Sequence, residues 1–444
     1  MPKVVLGNIG SNSMAPSVQM LSDQFLQANA AAAKRMIWLA NDGDVFITPT
    51  PVSKDFLNYV KQLKGGGNIV SLSTSPVCSK RPFPISEQDF AATSDFSKSL
   101  SLRRLDSPVS ELEPYIPDEV AVLIAKSLGD LPISFSGQRV GVSSAATRIL
   151  NDKAKFREFA SKLGVPIARG YTCTNTQEVV DGVRAALSVS DQIILKMARH
   201  SGGDGNIVFT KRPNDSFQGA TRTVFVLHSD GESIRTAISD VGLTASVEEP
   251  VIVEVYSENE NSIGVHFDIR KDEIDLVGVA TILFNPGYGG AYWGESLLTN
   301  LPTEVVDWCQ HLANYAQLAG YRGPLSVDVV KAKGSGFFAC EVNGRHGGFS
   351  SVRAVSASLK LEGAIRNGSR VVLSRNGVTI GLQFPQLLEL LEKKGLHYNS
   401  ANSCGVVVAV EGHEESGPFD FVIFERDVDQ AIRLEAEILQ LRVR

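Results

Sequence analysis

The stretch LSVDVVKAKGSGFFACEVNGRHGG, residues 325–348, decides what kind of protein this chain forms. Two runs of alternating apolar residues meet at Gly334 and Ser335, and glycine at the first central position suits a type II′ turn. A two-residue turn there sets Lys333 opposite Gly336, and counting outward brings Asp328 opposite Glu341. Strand alternation puts Asn343 on the Glu341 face, while Val327, Val329, Cys340 and Val342 point the other way, toward a core. Carboxylates opposed on neighbouring strands repel unless positive charge lies between them. Oxygen donors without cysteine or histidine suit Mg²⁺, which keeps waters and shares its shell with substrate phosphates. A slipped register would instead turn one acid to solvent. Arg345 follows within reach of whatever the ion holds, and its planar fork matches phosphate oxygens. Gly344, Gly347 and Gly348 permit close backbone approach, and His346 is either one more donor or a bystander.

Upstream of the hairpin, NDKAKFREFASKLGVP spaces Phe156, Phe159, Ala160 and Leu163 as one helix face. Asn151 or Asp152 can cap its start, and Gly164 with Pro166 ends it. IILKMA then reads as a strand, followed by a glycine loop and a second strand, IVFT. The strand-like runs PVIVEVYS, NSIGVHFDIR and LVGVATIL lead to a loop, NPGYGGAYWGES, that is rich in aromatics. A helix over 304–319 places Val305, Cys309, Leu312, Ala313 and Ala316 on one side. The first third alternates the short β-like runs KVVLG, MIWLA, DVFITP and NIVSLS with amphipathic stretches such as 54–63, which predicts a parallel α/β unit. GNIGSN lacks the full G-x-G-x-x-G spacing and fits a plain strand-to-helix turn better than a dinucleotide site. The proline-rich stretch 102–117 crosses the surface between units. The last seventy or so residues place two helical stretches around CGVVVAV and FDFVIFE, as a small α+β element.

Composition narrows the class. A chain of 444 residues suggests roughly three domains or subdomains. Its apolar fraction of 43%, charged fraction of 21% and net charge of -6 describe a folded protein with no electrostatic reason to bind nucleic acid or an anionic membrane surface. MPKVVLGNIG shows no basic stretch before a long apolar one, and no run is long enough to span a bilayer, so a cytoplasmic protein is expected. Cys78, Cys173, Cys309, Cys340 and Cys404 stand singly, without C-x-x-C spacing, and read as free thiols. Neither G-x-S-x-G nor G-x-x-x-x-G-K-[ST] occurs.

Four of these motifs, in this order, resemble the ATP-grasp superfamily of carboxylate-amine ligases over residues 141–365. The resemblance implies that Lys153, or less well Lys155, contacts an ATP phosphate. Lys196 would do the same from the strand that opens a flexible lid containing Gly202, Gly203 and Gly205. In VIVEVYSENENSIGV, Glu254 would approach the adenine amino group, and the backbone of Val255 and Ser257 the ring edge. Asn261 stands where the family usually has a ribose-binding acid, with Glu260 beside it. Asp328, Glu341 and Asn343 would hold Mg²⁺, as two ions, and Arg345 would act with Lys196 in catalysis. Because a strand follows the glycine loop, the loop is expected to close over phosphate as a hairpin, not to cradle it on a helix N-terminus.

The implied architecture is a Rossmann-like pre-ATP-grasp α/β domain over 1–140, a small ATP-grasp lobe over 141–250, a large lobe with the metal site over 251–368, and an α+β element over 369–444. That arrangement resembles pheganomycin-type peptide ligases, which join an unusual amino acid's carboxylate to a peptide amine. The resemblance therefore implies a small carboxylic or amino acid and an amine or peptide acceptor as partners, with ATP and Mg²⁺ as cofactors, and leaves room for a homodimer. Tyr288, Tyr292 and Trp293 are candidates for stacking on substrate, and Arg270 for clamping a carboxylate or phosphate. A carboxylase or purine-pathway enzyme on the same nucleotide core, or a non-catalytic ATP sensor, stands as the alternative.

Overall fold

The structure, a computed structural model, describes residues 1–11, 13–15, 22–75, 82–91, 94–97, 109–135, 138–139, 141–200, 203, 205–212, 217–226, 230–285, 287–294, 297, 300–334, 336–412 and 418–441. Cys78, Gly202 and Ser335 lie outside the described residues. The strands β1 (Val4–Leu6), β2 (Val45–Thr48), β3 (Val70–Ser73) and β4 (Leu112–Pro114) form a parallel sheet in the order β3-β2-β1-β4. This is the expected α/β unit, with one correction. Residues 36–40 are not a strand, because Lys34–Leu39 forms a 3₁₀ helix that buries Met36, Ile37 and Trp38. A short apolar run buried on every side carries no periodicity by which strand and helix can be told apart.

A short pair, β5 (Ser134–Phe135) and β6 (Gln138–Arg139), precedes the small lobe. That lobe is built on β7 (Gly170–Cys173), β8 (Gln192–Met197), β9 (Asn206–Thr210), β10 (Arg222–Phe225) and β11 (Val251–Val255), in the order β10-β9-β8-β11-β7. The helices Thr176–Leu187 and Gly231–Asp240 bury Val180, Val183, Ile234 and Ile238 in its core. The helix Lys153–Lys162 is capped by the Asp152 carboxylate, which accepts from the backbone of Ala154 and Lys155. Phe156, Phe159 and Ala160 are buried as spaced, whereas Leu163, at the helix end, is exposed.

The large lobe comprises β12 (Asn259–Ile269), β13 (Ile274–Asn285), β14 (Gly287–Trp293), β15 (Gly323–Ala332) and β16 (Gly336–Asn343). The strands β17 (Val371–Val378), β18 (Gly405–Val410) and β19 (Phe419–Glu425) continue the same sheet, giving the order β16-β15-β12-β13-β14-β17-β19-β18. The stretch NPGYGGAYWGES, expected as a loop, therefore supplies the central strand β14. Gly290 explains the tolerance for glycine there. At φ +144 it packs so closely on β17 that a Cβ would lie 2.0 Å from the Ser374 carbonyl oxygen. Gly290→Ala should accordingly lower stability by about 2–4 kcal/mol, read as a fall in the unfolding midpoint. An unchanged midpoint would show that β14 and β17 separate freely.

The first and last segments of the chain meet on the 3₁₀ helix. Lys34 pairs with Glu411 at 3.0 Å, Arg35 with Asp420 at 2.7 Å, and Trp38 Nε1 donates to the Ala409 carbonyl at 2.8 Å. Their apolar core is shared, running from Phe46 and Phe56 through Trp293 to Val406 and Phe421. Each fully buried large side chain in it contributes about 2–3 kcal/mol relative to exposure. Among the described residues no helix is long and apolar enough to cross a membrane, and Cys173, Cys309, Cys340 and Cys404 are free thiols.

Candidate active site

The hairpin brings Asp328 opposite Glu341 and Asn343 opposite Ser326, as the alternation requires. The route differs from the two-residue turn. Ala332 pairs with Gly336, so the connection spans three residues, and the register slips back by one between Asp328 and Val329. Cys340 is the extra residue of that bulge. Val327, Val329 and Val342 are buried in the core, but Cys340 is turned out of it and lines the cavity on the opposite side, beside Lys196. Burial pushes its thiol up to about 12, so it stands there as a neutral, compact apolar group.

One cavity of about 1000 Å³ gathers most of the expected residues. Lys153, Lys196, Gly203, Glu254, Val255, Ser257, Asp328, Glu341, Asn343, Arg345 and Tyr288 all line it. Lys153 Nζ lies 2.9 Å from Glu341 Oε2 and donates to the His200 carbonyl at 2.8 Å, linking the metal row to the start of the glycine loop. Lys196 Nζ lies 2.6 Å from Glu254 Oε2, and Arg157 takes the other carboxylate oxygen. Lys155 points outward and pairs with Glu158.

Several expected contacts are not brought to the cavity. Asn261 does not line it; Asn259 and Ser262 do, because β12 is irregular between Asn259 and Asn261. Arg270 is occupied by Glu273 at 2.8 Å and Asp275 at 3.0 Å, away from the site. Trp293 is buried against Phe349, and Tyr292 packs on the same apolar core, so of the three aromatics only Tyr288 reaches the cavity. Gly205 is packed under the His200 ring, where a Cβ would come within 2.7 Å of the imidazole.

The electrostatics favour a bound cation. Burial, and then Glu341, push the Asp328 carboxyl well above its ordinary range. Glu341 is pushed up by the same burial, but Lys153, Arg345 and Lys196 outweigh it and hold the group down at about 2. Asn343 Nδ2 lies 3.4 Å from both Asp328 Oδ2 and Glu341 Oε1. A half-turn of that amide presents its oxygen instead, completing a hard-oxygen donor set that fits Mg²⁺ with waters and phosphate in the remaining positions. Among the described residues no three His, Cys, Asp or Glu side chains converge to hold a metal without such help.

His346, left by the sequence as a donor or a bystander, lines the cavity, and Glu113, to which the sequence did not point, stands behind it. His346 is buried, its amide donates to the Tyr115 carbonyl at 2.9 Å, and its Nε2 lies 3.6 Å from Glu113. Glu113 also pairs with Lys3 at 2.5 Å. The loop that carries Arg345 is thereby tied to the first sheet. Burial opposes ionisation of Glu113, but His346 and Lys3 hold its carboxyl down at about 2, against 4.5 ordinarily. A depressed acid stabilises the fold above its unfolded value, and that contribution disappears as pH falls through the folded one. Glu113→Gln should therefore cost on the order of 3 kcal/mol near neutral pH, with the difference from wild type vanishing between about pH 4.5 and about 2. Unfolding midpoints across that interval test it; parallel curves would contradict the tether.

Residues 33–130 match the family model described as Pre ATP-grasp domain, and residues 386–438 match the one described as PGM1 C-terminal domain. No curated protein matches the chain at a significant level. Solved structures do. The biotin carboxylase domain of Hydrogenobacter thermophilus 2-oxoglutarate carboxylase, a dimer in complex with MgADP, ADP and bicarbonate, superposes with a TM-score of 0.57 at 14% identity, covering 99% of this chain and 89% of that one. N5-carboxyaminoimidazole ribonucleotide synthetase from Thermus thermophilus superposes with a TM-score of 0.54 at 12% identity, covering 100% and 99%. The fold is ATP-grasp. Biotin carboxylase from Campylobacter jejuni, solved with an ATP analogue, shares it at a TM-score of 0.56 and 13% identity over 97% of this chain and 89% of that one. The cavity is lined from both the β7–β11 sheet and the β12–β16 part of the eight-stranded sheet.

Proposed function

We propose that the protein is an ATP-dependent ligase that joins a carboxylic acid to an amine through an acyl phosphate, releasing ADP and phosphate. The observation that carries this is the facing arrangement in one cavity: two acids and an amide from β15 and β16, and Lys153, Lys196 and Arg345 around them. A carboxylate resists amine attack because its oxygen leaves poorly. Its oxygen instead attacks the γ-phosphorus and ADP departs; the amine nitrogen then attacks the acyl carbon, phosphate leaves and the amine loses a proton. Asp328, Glu341 and Asn343 would hold Mg²⁺, as two ions in this proposal, and the metal would supply charge neutralisation at the phosphates. Lys196 and Arg345 neutralise charge that grows in transfer, and positioning provides much of the rate. The segment around Gly203 and Gly205 serves as the lid that keeps water from the acyl phosphate.

The acceptor in this proposal is a peptide amine and the acid an unusual amino acid, as in natural-product assembly. The order of a Pre ATP-grasp domain match in front of the core and a PGM1 C-terminal domain match behind it supports this narrower reading. The structural neighbours named as a biotin carboxylase domain and an N5-carboxyaminoimidazole ribonucleotide synthetase support the second reading, a carboxylase or purine-pathway enzyme on the same fold. A non-catalytic sensor has no need of the paired metal acids. Incubation with Mg²⁺, ATP, pooled acids and hydroxylamine separates these readings. Hydroxamates with ADP and phosphate are expected; AMP and pyrophosphate would overturn the acyl-phosphate route. ATP binding without turnover for any acid, bicarbonate included, would identify a sensor.

A further inference from the structure

We propose that the cavity contains a second subsite, formed by Asp268, Arg353 and Glu362, that receives a cationic group at the far end of the acid substrate. The proposal rests on the ligase reading above. Sheet register provides the ruler. On β12, Gly264 lies beside Asp328 of the metal row, His266 beside Ser326, and Asp268 beside Pro324. Asp268 is thus four residues along the strand from the metal row, about 13 Å away on the same face. Both ends line the one cavity, as does His266 between them.

The far end carries unbalanced charge. Arg353 donates from Nη1 to Asp268 Oδ2 at 2.7 Å and from Nε to Glu362 Oε1 at 3.0 Å. One guanidinium thus serves two carboxylates, leaving the cluster itself with a net single negative charge. The neighbouring Arg35 does not cancel it, because Asp420 already pairs with that guanidinium. His266 does not cancel it either, since burial and then Arg353 hold its imidazole down at about 3 and hence neutral. An ammonium or related cation from a ligand satisfies the surplus acid; a second anion would not.

The middle of the chamber is apolar and flat. His266 stacks on Phe349 with centroids 3.8 Å apart and planes 5° from parallel, and Trp293 meets the other edge of Phe349. Val277, Ala280 and Ala354 add to this wall. A ligand that fits end to end has a carboxylate at the metal row, an apolar or planar middle, and a cation at Asp268 and Glu362. That span suits an amino acid with a long basic side chain better than bicarbonate.

With hydroxylamine as the common acceptor, ω-aminooctanoate is compared with octanoate by ADP release. The expected kcat/KM ratio favours ω-aminooctanoate by roughly tenfold or more, the size of a charge-assisted contact. Glu362→Gln and, independently, Asp268→Asn should each collapse the ratio toward one, with thermal unfolding showing that the variants fold. Equal use of both acids, a ratio that survives both substitutions, or a preference seen only when the cation is on the acceptor amine would each overturn the subsite while leaving the ligase reading intact. Should neither acid be turned over, calorimetric binding of the same two acids to the Mg²⁺-ATP-analogue complex decides it. Tighter binding of ω-aminooctanoate that Glu362→Gln abolishes upholds the subsite; equal binding or none refutes it.

Discussion

Glu341→Gln should lower ATP-dependent turnover by roughly a thousandfold or more while leaving the unfolding midpoint nearly unchanged. Glutamine preserves the volume but removes one of the two charges in the metal row, and a neutral amide oxygen is a much weaker partner for Mg²⁺. The small effect on stability follows from opposing changes. Lys153 loses its contact at 2.9 Å with Glu341, but Asp328, whose carboxyl is pushed up first by burial and then by Glu341, loses a repulsive neighbour. Steady-state kinetics over a Mg²⁺ series, with calorimetry on the same samples, reads both arms. A variant within tenfold of wild type would remove Glu341 from the metal assignment.

Lys196→Met should raise the KM for ATP by about a hundredfold and destabilise the fold by about 3 kcal/mol. Two roles are combined in this side chain. Lys196 lines the cavity, where it can meet a phosphate, and it neutralises the buried Glu254 at 2.6 Å. Its ammonium is pushed up despite its burial, because Glu254 leads the charges that favour it, so it stays charged throughout the accessible pH range. Removing it leaves Glu254 with Arg157 alone. The paired substitution Lys196→Met with Glu254→Gln separates the roles: part of the stability should return, the Arg157 pairing being lost in its turn, and ATP affinity should not. Recovery of affinity would show that Lys196 serves only to balance Glu254.

Much of the candidate site is legible along the chain because it obeys local rules. Asp152 caps its helix through its own following amides, which sets Lys153 in the first turn. Lys196 ends an apolar strand, and Asp328, Glu341 and Asn343 follow from alternation with period two. The cluster of Asp268, Arg353 and Glu362 follows from no such rule. Its members come from a strand and two separate helices, and Arg353 stands 85 positions after Asp268 in the chain. Glu113 and His346 are likewise joined only when the first sheet packs against the loop after β16.

The opening hairpin marks the boundary between the two kinds of information. Counting from a two-residue turn pairs Asp328 with Glu341, and that pairing holds although the turn is one residue longer, because the register shifts back before Asp328 is reached. How the chain reaches that pairing depends on contacts far away. The Ala339 amide donates to the Pro166 carbonyl at 2.8 Å, and residue 167 bridges the outer edge of β16. The bulge beside that bridge compensates for a turn one residue longer than expected, and it rotates Cys340 from the core to the cavity. The conversion of a glycine-rich segment into β14 has the same origin. Neighbours on both sides supply its hydrogen bonds, and the missing Cβ at Gly290 lets β17 approach. Side-chain period and capping are properties of adjacent residues and are written in the sequence; bulges, edges and charge clusters depend on the surfaces that packing brings together.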